Sequence, residues 1–167
     1  PIYSGGSGTS NDPYQIGNVI DLMTLANNVN DYSKCFVLTA DINMAGYVYT
    51  SALIAPDTNW QPIGEYEGTP FTGACYGAGH IISNFNIYLD RYSFGDYLGF
   101  FGRLGSGAQI TRLGLVDVNI QCYITPPGHF YMGALAGENR GGSINQCFST
   151  GSVKGNFHRG GLVGCNY

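Results

Sequence analysis

The chain has 167 residues, 44% of them apolar and 11% charged, with a formal net charge of −4. This length predicts one domain with a sizeable core, and the seven scattered Lys and Arg residues form no basic stripe, so we expect no nucleic-acid partner. The 26 glycines argue against a helical protein. The 13 Tyr and nine Phe residues argue against disorder. No apolar run approaches the roughly 18 residues of a membrane span.

Residues 1–13 are predicted to form an N-terminal arm on a flexible tether. Pro1, Ile2 and Tyr3 make a short extended apolar stretch, and the Ser/Gly run after them has the composition of a flexible linker. The sequence starts with neither Met nor a signal peptide, so we expect a processed chain or a piece of a longer one.

Residues 14–70 are predicted to form an N-terminal cap and an irregular first repeat. A short strand at 14–16 precedes the one predicted helix, at about 18–29, where apolar residues follow helical spacing and Asn18 is a good N-cap. The end of a repeat structure exposes apolar side chains, so we expect this helix to cover it. Residues 36–42 alternate as a strand does.

The pattern loosens between residues 43 and 67. Residues 52–54 and 61–64 are candidate short strands. The stretch is either a wide first repeat or a surface loop that carries several aromatic side chains.

Residues 71–167 contain an internal repeat and are predicted to form a β-solenoid. A phrase of glycines around a small apolar core occurs at 99–102, 133–137 and 160–164. A period of about 20 to 50 residues indicates repeated units, none of which can bury its apolar face alone. The fold prediction is therefore all-β, a right-handed parallel β-helix with one N-terminal capping helix.

The repeat also predicts interior columns of side chains. Ile110 aligns with Ile144 at an offset of 34 in the numbering, and we align Ile82 with Ile110 at an offset of 28. A repeat of about 27–28 residues follows, with extra residues near 125–129 forming a loop. The predicted interior residues are Ile82, Phe85, Ile87, Ile110, Leu113, Leu115, Ile144 and Cys147.

Four phrases, taken together, resemble the bacterial GLUG-motif repeat proteins. They lie at 12–16, 36–42, 71–84 and 160–166, and the resemblance covers most of the chain. It implies a secreted right-handed parallel β-helix of the kind found in long bacterial surface proteins, and hence an extracellular or cell-surface location. It implies no activity, because the repeat is a building block of adhesin-like and enzyme-containing chains alike.

Catalytic and metal chemistry is not favoured. Polysaccharide lyases of this fold need a base near calcium-holding acids, and here the acids share no repeat position in our alignment. His80, His129 and His158 lie at unrelated places. We therefore assign no catalytic residue, no metal ligand and no cofactor.

The five cysteines show no zinc-binding spacing. Cys75 and Cys147 are interpreted as core residues. A disulfide between Cys35 and Cys122 is a weak hypothesis.

Two functional classes remain open. The first is a non-catalytic structural module that forms a homo-oligomeric, head-to-tail filament or an adhesin-like surface layer. The second is a carbohydrate-binding or polysaccharide-lyase-like domain, because many aromatic residues lie in loop-like segments, where they either stack on sugars or cover the monomer's own surface.

For self-association we predict that the N-terminal arm docks on the C-terminal end of a neighbour. The residues concerned are Pro1, Ile2, Tyr3, Gly161, Leu162, Val163 and Tyr167.

Overall fold

The computed structural model describes residues 2–58, 66–89, 97–123, 130–156 and 158–167. Within these residues the chain forms one α-helix, α1 (Val19–Ala26), one 3-10 turn (Val29–Asp31) and 17 β-strands. The strands are β1 (Tyr14–Ile16), β2 (Cys35–Leu38), β3 (Ile42–Asn43), β4 (Val48–Tyr49), β5 (Ala74–Tyr76), β6 (Ile81–Ser83), β7 (Asn86–Leu89), β8 (Tyr97–Leu98), β9 (Phe101–Leu104), β10 (Gln109–Thr111), β11 (Gly114–Cys122), β12 (Tyr131–Gly133), β13 (Ala136–Asn139), β14 (Ser143–Asn145), β15 (Phe148–Gly155), β16 (His158–Gly160) and β17 (Val163–Asn166).

The strands form four sheets, and every pairing between these strands is parallel. The first sheet has the order β1-β2-β5-β10-β14. In the second, the long strand β11 pairs with β6, β7 and β15, and β3 and β4 lie beyond β6 and β7. The third is β8-β12-β16 and the fourth is β9-β13-β17. The all-β class is confirmed.

The strands define successive repeats of the chain. Repeat 1 contains β2–β4, repeat 2 contains β5–β9, repeat 3 contains β10–β13 and repeat 4 contains β14–β17. Repeats 2, 3 and 4 each contribute strands to all four sheets, and successive repeats are neighbours in each of them. Long connections between parallel strands allow this arrangement, since such strands cannot be joined by tight hairpins.

The pairings correct the predicted register. Ile110 pairs with Ile144, as predicted. Its partner in repeat 2, however, is Cys75 and not Ile82. Ile82 pairs instead with Leu115, in the second sheet. The repeat in this part of the chain is therefore about 33–35 residues long, which lies within the range of known repeat units but exceeds the predicted length.

A short connection in the last repeat explains the error. Gly133 pairs with Gly160, at the offset that the sequence indicated. The chain needs only residues 156–157 to pass from β15 to β16, whereas residues 123–130 join β11 to β12. The prediction took the shorter separation between Gly133 and Gly160 as the length of every repeat. The loop predicted at 125–129 lies outside the described residues.

The predicted interior residues do form the core. The six in repeats 2 and 3 are 0% exposed. Ile144 and Cys147, in the last repeat, are half-buried and pack against that core. The core residues are thus fully buried on the middle strands of the sheets and partly exposed on the last strands.

The repeated glycine phrase marks a close approach between the third and fourth sheets. A Cβ atom added to Gly137 would lie 2.7 Å from the backbone nitrogen of Leu98, and one added to Gly164 would lie 2.5 Å from that of Met132. Atoms at these distances overlap, so only glycine permits the contact.

Helix α1 covers the first strands. The Asn18 side chain accepts a hydrogen bond from a backbone N–H of the first turn, which confirms the predicted N-cap. Met23 accepts a hydrogen bond from the Tyr49 hydroxyl at 3.3 Å, so the helix packs against β4. The helix ends at Ala26 and not near residue 29, because the Asn27 side chain donates to the Met23 carbonyl and the 3-10 turn follows.

The predicted free arm is bound to the cap. Tyr3 is 7% exposed, and its hydroxyl donates a hydrogen bond to Asp31 Oδ2 at 2.8 Å. Gly5 forms an antiparallel bridge with Gln15. Ile2 is 93% exposed, and Pro1 lies outside the described residues. A tether that looks flexible by composition is held here by a buried aromatic ring and by backbone hydrogen bonds to Gln15 and Cys35.

Two residues, one within the loosely patterned stretch and one just after it, pair with β9. Ile54 pairs with Phe101, and Phe71 pairs with Leu104. This placement fits a wide first repeat better than a detached surface loop. The candidate strand at 61–64 lies outside the described residues.

Candidate functional site

The last repeat forms one edge of all four sheets, and we call this repeat, from β14 to Tyr167, the C-terminal edge. Each of its strands has a partner on one side, in repeat 3. Ile144, Val153 and Leu162 are half-buried against the core of repeat 3. An edge of this kind presents unpaired backbone N–H and C=O groups to whatever lies beyond it.

The C-terminal edge contains four of the predicted self-association residues. Gly161 is exposed, and Leu162 and Val163 are half-buried. Tyr167 is 67% exposed, and the guanidinium of Arg140 lies 5.2 Å from its ring centroid. The structure therefore brings these residues together on one surface. It places Ile2 and Tyr3 with the cap and not on this edge.

The interior of the C-terminal edge is more polar than the repeat beneath it. Ser149 is in register with Leu115, and Arg159 is in register with Met132, both of which are 0% exposed in repeat 3. The Ser149 hydroxyl donates to the Gly161 carbonyl at 2.8 Å. A hollow of about 90 Å³ opens beside this bond. It is lined by Ala134, Ser149, Thr150, Gly151, Ser152, Val153 and Gly161.

The opposite end of the molecule is the cap, defined here as residues 2–34. Its helix buries Leu22 and Leu25 against the core but leaves Ile20 75% exposed. A shallow groove runs along the outer face of the helix. It is lined by Ile20, Met23, Thr24, Asn27 and Asn28. The cap thus closes the apolar interior while keeping an apolar side chain on its outer surface.

A buried ion pair lies between the third and fourth sheets. Glu138 is 1% exposed and pairs with Arg103, its register partner in repeat 2. The Arg103 guanidinium lies 4.1 Å from the Tyr66 ring centroid and 4.8 Å from that of Tyr97. Burial raises the pKa of both tyrosines, so both remain protonated at neutral pH. Arg140 also approaches Glu138, at 3.6 Å.

This cluster has the residue types of a catalytic site but is organised as a structural one. The carboxylate and the guanidinium neutralise each other, and two rings cover the guanidinium. A catalytic acid or base needs to reach a substrate, which a paired and covered group does not. The sequence did not reveal this pair, because the predicted repeat is too short to align Arg103 with Glu138, which are direct register partners in the structure.

A ladder of rings follows the third sheet. Tyr97 and Tyr131 stack with centroids 5.4 Å apart, and Tyr131 and His158 stack at 5.1 Å. The register of β8, β12 and β16 places the three rings above one another. The ladder ends at the C-terminal edge with His158, which is exposed.

The His80 side chain contacts Asp41 on the surface of the second sheet. Its Nδ1 lies 3.1 Å from Asp41 Oδ1, and the Ile81 N–H donates to the same oxygen at 3.0 Å. The Ile81 hydrogen bond and then His80 hold the pKa of Asp41 below its usual range. Among the described residues, no group of three or more His, Cys, Asp or Glu side chains could hold a metal ion.

No disulfide joins any of the five cysteines, so the hypothesised Cys35–Cys122 disulfide is wrong. Cys75 is buried in the core, as interpreted, and burial raises the pKa of its thiol to about 12. Cys147 is half-buried against the core.

Some aromatic residues cover the monomer's own surface, whereas others are exposed, as stacking on sugars requires. Tyr97 is buried and Tyr49 is half-buried, as expected of rings that cover the monomer. Tyr88 and Tyr123 are 45% and 51% exposed, with ring centroids 6.3 Å apart. Trp60, Tyr92 and Phe94, also considered as contact residues, lie outside the described residues.

The chain is similar to parts of two much longer proteins. It is 31% identical over 165 residues to Halomucin of Haloquadratum walsbyi, an alignment that covers 98% of this chain and 2% of that protein. It is 30% identical over 141 residues to a protein of Evansella cellulosilytica named as a Gly-rich membrane protein, covering 84% of this chain and 15% of the relative. The chain therefore spans a small fraction of the length of these relatives.

Comparison with protein families finds no match, and no solved structure matches the chain. Within the described part of the chain, no helix is long and apolar enough to cross a membrane.

Proposed function

We propose that the chain is a non-catalytic structural module of an extracellular or cell-surface protein, and that it assembles end to end. The observation that carries this proposal is the stacking of parallel repeats. Repeats 2, 3 and 4 each contribute strands to all four sheets, and the last repeat carries half-buried apolar residues beside its strands. Open strand edges next to apolar surface favour the addition of another chain.

The proposed architecture is a right-handed parallel β-helix. Parallel pairing at a regular period supports it, as does the contribution of repeats 2, 3 and 4 to all four sheets. Right-handed crossovers are strongly preferred between parallel strands of one sheet, which supports the handedness. The resemblance to GLUG-motif repeats gives the same expectation.

Two observations support an extracellular or surface location. The relatives are far longer than the chain, and their names denote a mucin and a membrane protein. Long surface proteins are often assembled from repeated modules, and a chain of stacked repeats suits this use.

The absence of catalysis is part of the proposal. The most clustered charged groups, Arg103 and Glu138, are paired and covered. Incubation with uronate polymers, with and without calcium, is expected to produce no unsaturated ends. Turnover that disappears when an exposed base, Arg140 or Arg159, is replaced by Met would establish a lyase instead.

Carbohydrate binding is the second candidate function, and the exposed pair Tyr88 and Tyr123 favours it. Their rings project near the amide side chain of Gln121, which accepts a hydrogen bond from the Tyr123 hydroxyl at 3.3 Å. Aromatic faces beside amide groups suit a surface polysaccharide. A glycan array comparing the protein with a Tyr88→Ala, Tyr123→Ala variant tests it, since sugar binding lost in that variant would establish this function.

Sedimentation velocity over a wide range of protein concentration tests the structural proposal. We expect the average mass to rise with concentration. A Leu162→Asp variant places a charge on the C-terminal edge and is expected to reduce association, while Gln109→Asp, at an exposed site in repeat 3, is the matched control. A protein that remains monomeric at the highest concentrations would contradict the proposal.

A further inference from the structure

The outer face of the second sheet carries a cluster of polar and aromatic side chains centred on Gln121. The register partners of Gln121 are Tyr88 in repeat 2 and Lys154 in repeat 4. Along its own strand it lies between Asn119 and Tyr123, the residue just after β11. Neighbouring strands are about 4.8 Å apart and alternate residues of one strand about 6.6 Å apart, so the five residues span an area of about 10 by 13 Å. We call these five residues the Gln121 face.

The Gln121 face points outward from the side of the stacked repeats. Ile120 and Cys122, on either side of Gln121 in the chain, are 0% exposed and belong to the core, so the Gln121 side chain points away from it. On β7 the same alternation buries Ile87 and leaves Tyr88 45% exposed. A further repeat would lie beside the last strand of the sheet and would not cover these outward side chains.

Hydrogen bonds within the face fix the orientation of its amides. Gln121 Nε2 donates to Asn119 Oδ1 at 2.9 Å, and Gln121 Oε1 accepts from the Tyr123 hydroxyl at 3.3 Å. Each amide nitrogen carries two N–H donors, so both residues keep donors for an outside acceptor. The rings of Tyr88 and Tyr123 lie beside these amides with centroids 6.3 Å apart. Fixed aromatic rings next to free amide donors can hold a sugar ring and its hydroxyl groups.

Lys154 adds a positive charge to this face. It is exposed, and none of the ion pairs among the described residues includes it. The only other charged residue on β4, β7, β11 and β15, all of which the structure describes, is Asp117. Asp117 lies where the register of β11 shifts, four positions before Gln121 and so about 13 Å along the strand. An anionic group that reaches Lys154 therefore meets little repulsion from this face.

We propose that the Gln121 face binds a polysaccharide that carries carboxylate groups at low charge density. A carboxylate pairs with Lys154, the amides of Asn119 and Gln121 donate to sugar hydroxyls, and the tyrosine rings pack against sugar rings. This inference rests on carbohydrate binding, the second candidate function, and names its ligand class. The single Lys on the face and the net charge of −4 disfavour a densely sulfated polymer, which the protein as a whole would repel.

NMR titration with three hexasaccharides tests this, at a protein concentration below that of self-association. The probes are a hyaluronan hexasaccharide, in which alternate sugars carry a carboxylate, a neutral hexasaccharide of N-acetylglucosamine, and a chondroitin sulfate hexasaccharide, which adds sulfate esters. We expect the hyaluronan hexasaccharide to bind roughly twofold to fivefold more tightly than the neutral one at low salt, as one exposed ion pair allows. High salt is expected to remove this preference. The shifted amide signals should lie on β7, β11 and β15.

Two substitutions, each with a matched control, assign the contacts. Lys154→Gln removes the charge and is expected to make the charged and neutral hexasaccharides bind equally, while Lys34→Gln, at an exposed position of the cap, should keep the preference. Tyr88→Ala is expected to weaken both hexasaccharides by about twofold to tenfold through lost ring contact. Tyr76→Ala, at an exposed position of the first sheet, should leave both unchanged.

The outcomes separate this inference from the functions proposed above. Equal binding of the charged and neutral hexasaccharides, a preference that survives Lys154→Gln, or tighter binding of the chondroitin sulfate hexasaccharide overturns the ligand class and leaves carbohydrate binding in place. Signals that shift on another face overturn the assigned site. Binding of no hexasaccharide overturns both this inference and the second candidate function, and it leaves end-to-end assembly, which sedimentation measures, unaffected.

Discussion

Ile110 lies at the centre of the interior, paired with Cys75 on one side and Ile144 on the other. It is 0% exposed, so an Asp side chain at this position would bury an unpaired carboxylate. That costs several kcal/mol, a large part of the roughly 5–15 kcal/mol that stabilises a typical domain. We expect Ile110→Asp to abolish the cooperative thermal transition, as measured by circular dichroism.

Gln109 supplies the control for this change. It precedes Ile110 on the same strand and is exposed. Gln109→Asp is expected to keep the transition within a few degrees of the unmodified protein. An Ile110→Asp protein with an unchanged transition would show that the interior column is wrongly assigned.

The buried tyrosines make stability depend on alkaline pH. Burial, followed by the Asp31 hydrogen bond, raises the pKa of Tyr3 above its ordinary value of 10.0, and burial also raises the pKa of Tyr32 and Tyr97. A raised pKa in the folded state contributes stability that is complete below pH 10 and is lost as the pH rises above it. We expect the free energy of unfolding to fall above pH 10.

Urea titrations at several alkaline pH values measure this effect. Tyr3→Phe removes one of the titrating groups, so the fall should become shallower in that variant. A free energy of unfolding that stays constant from pH 8 to pH 11 would contradict the burial of these hydroxyls.

The Arg103–Glu138 pair gives a third prediction at this scale. Glu138→Gln keeps the shape of the side chain but leaves the Arg103 charge without its carboxylate. Breaking a buried pair by removing one partner costs about 3–5 kcal/mol. Urea unfolding is expected to show a loss of this size. Glu67→Gln, at an exposed position, should change the stability by less than about 0.5 kcal/mol.

Some residue-level features could be predicted from the sequence and others could not. Local spacing identified Asn18 as the N-cap, because capping depends on neighbours in the chain. The contact between Arg103 and Glu138 depends on the register between repeats, and the predicted register was wrong by several residues. The hypothesised Cys35–Cys122 disulfide failed because sequence separation gives no distance between two cysteines.

At the scale of the elements, the glycine phrase determines how closely the third and fourth sheets approach. Gly137→Ala would place a methyl group 2.7 Å from the backbone nitrogen of Leu98. Both strands are held in their sheets, so neither backbone can shift easily to make room. Overpacking of this kind costs typically about 1–3 kcal/mol. We expect Gly137→Ala to lower the free energy of unfolding by at least that amount.

Gly161 belongs to the same phrase and is the matched control. A Cβ atom there meets nothing within 4 Å. Gly161→Ala is expected to leave stability within about 0.5 kcal/mol. Equal effects of the two substitutions in urea titrations would show that the phrase serves turn flexibility and not close packing.

The elements were predicted best where periodicity is strong. The helix and the interior strands of repeats 2 and 3 lie where apolar spacing placed them. The N-terminal segment was misjudged, because its Ser/Gly run looks flexible, whereas the Tyr3 hydroxyl binds Asp31 and the backbone of Gly5 pairs with Gln15. Composition reports the average tendency of a segment, and specific contacts override it.

At the scale of the whole molecule, the stacking of parallel repeats is the main feature. The sequence indicated a repeat structure but did not fix its period, because β16 follows β15 after fewer residues than β12 follows β11. The proposed end-to-end assembly would continue this stacking from one copy to the next.

Electron cryomicroscopy of the purified protein at high concentration tests the proposed end-to-end assembly. We expect polar filaments in which strands of about 4.8 Å spacing continue along the axis within each copy, and in which the cap of one copy meets the C-terminal edge of the next. Isolated monomers at every concentration, or assemblies in which two C-terminal edges face each other, would contradict it.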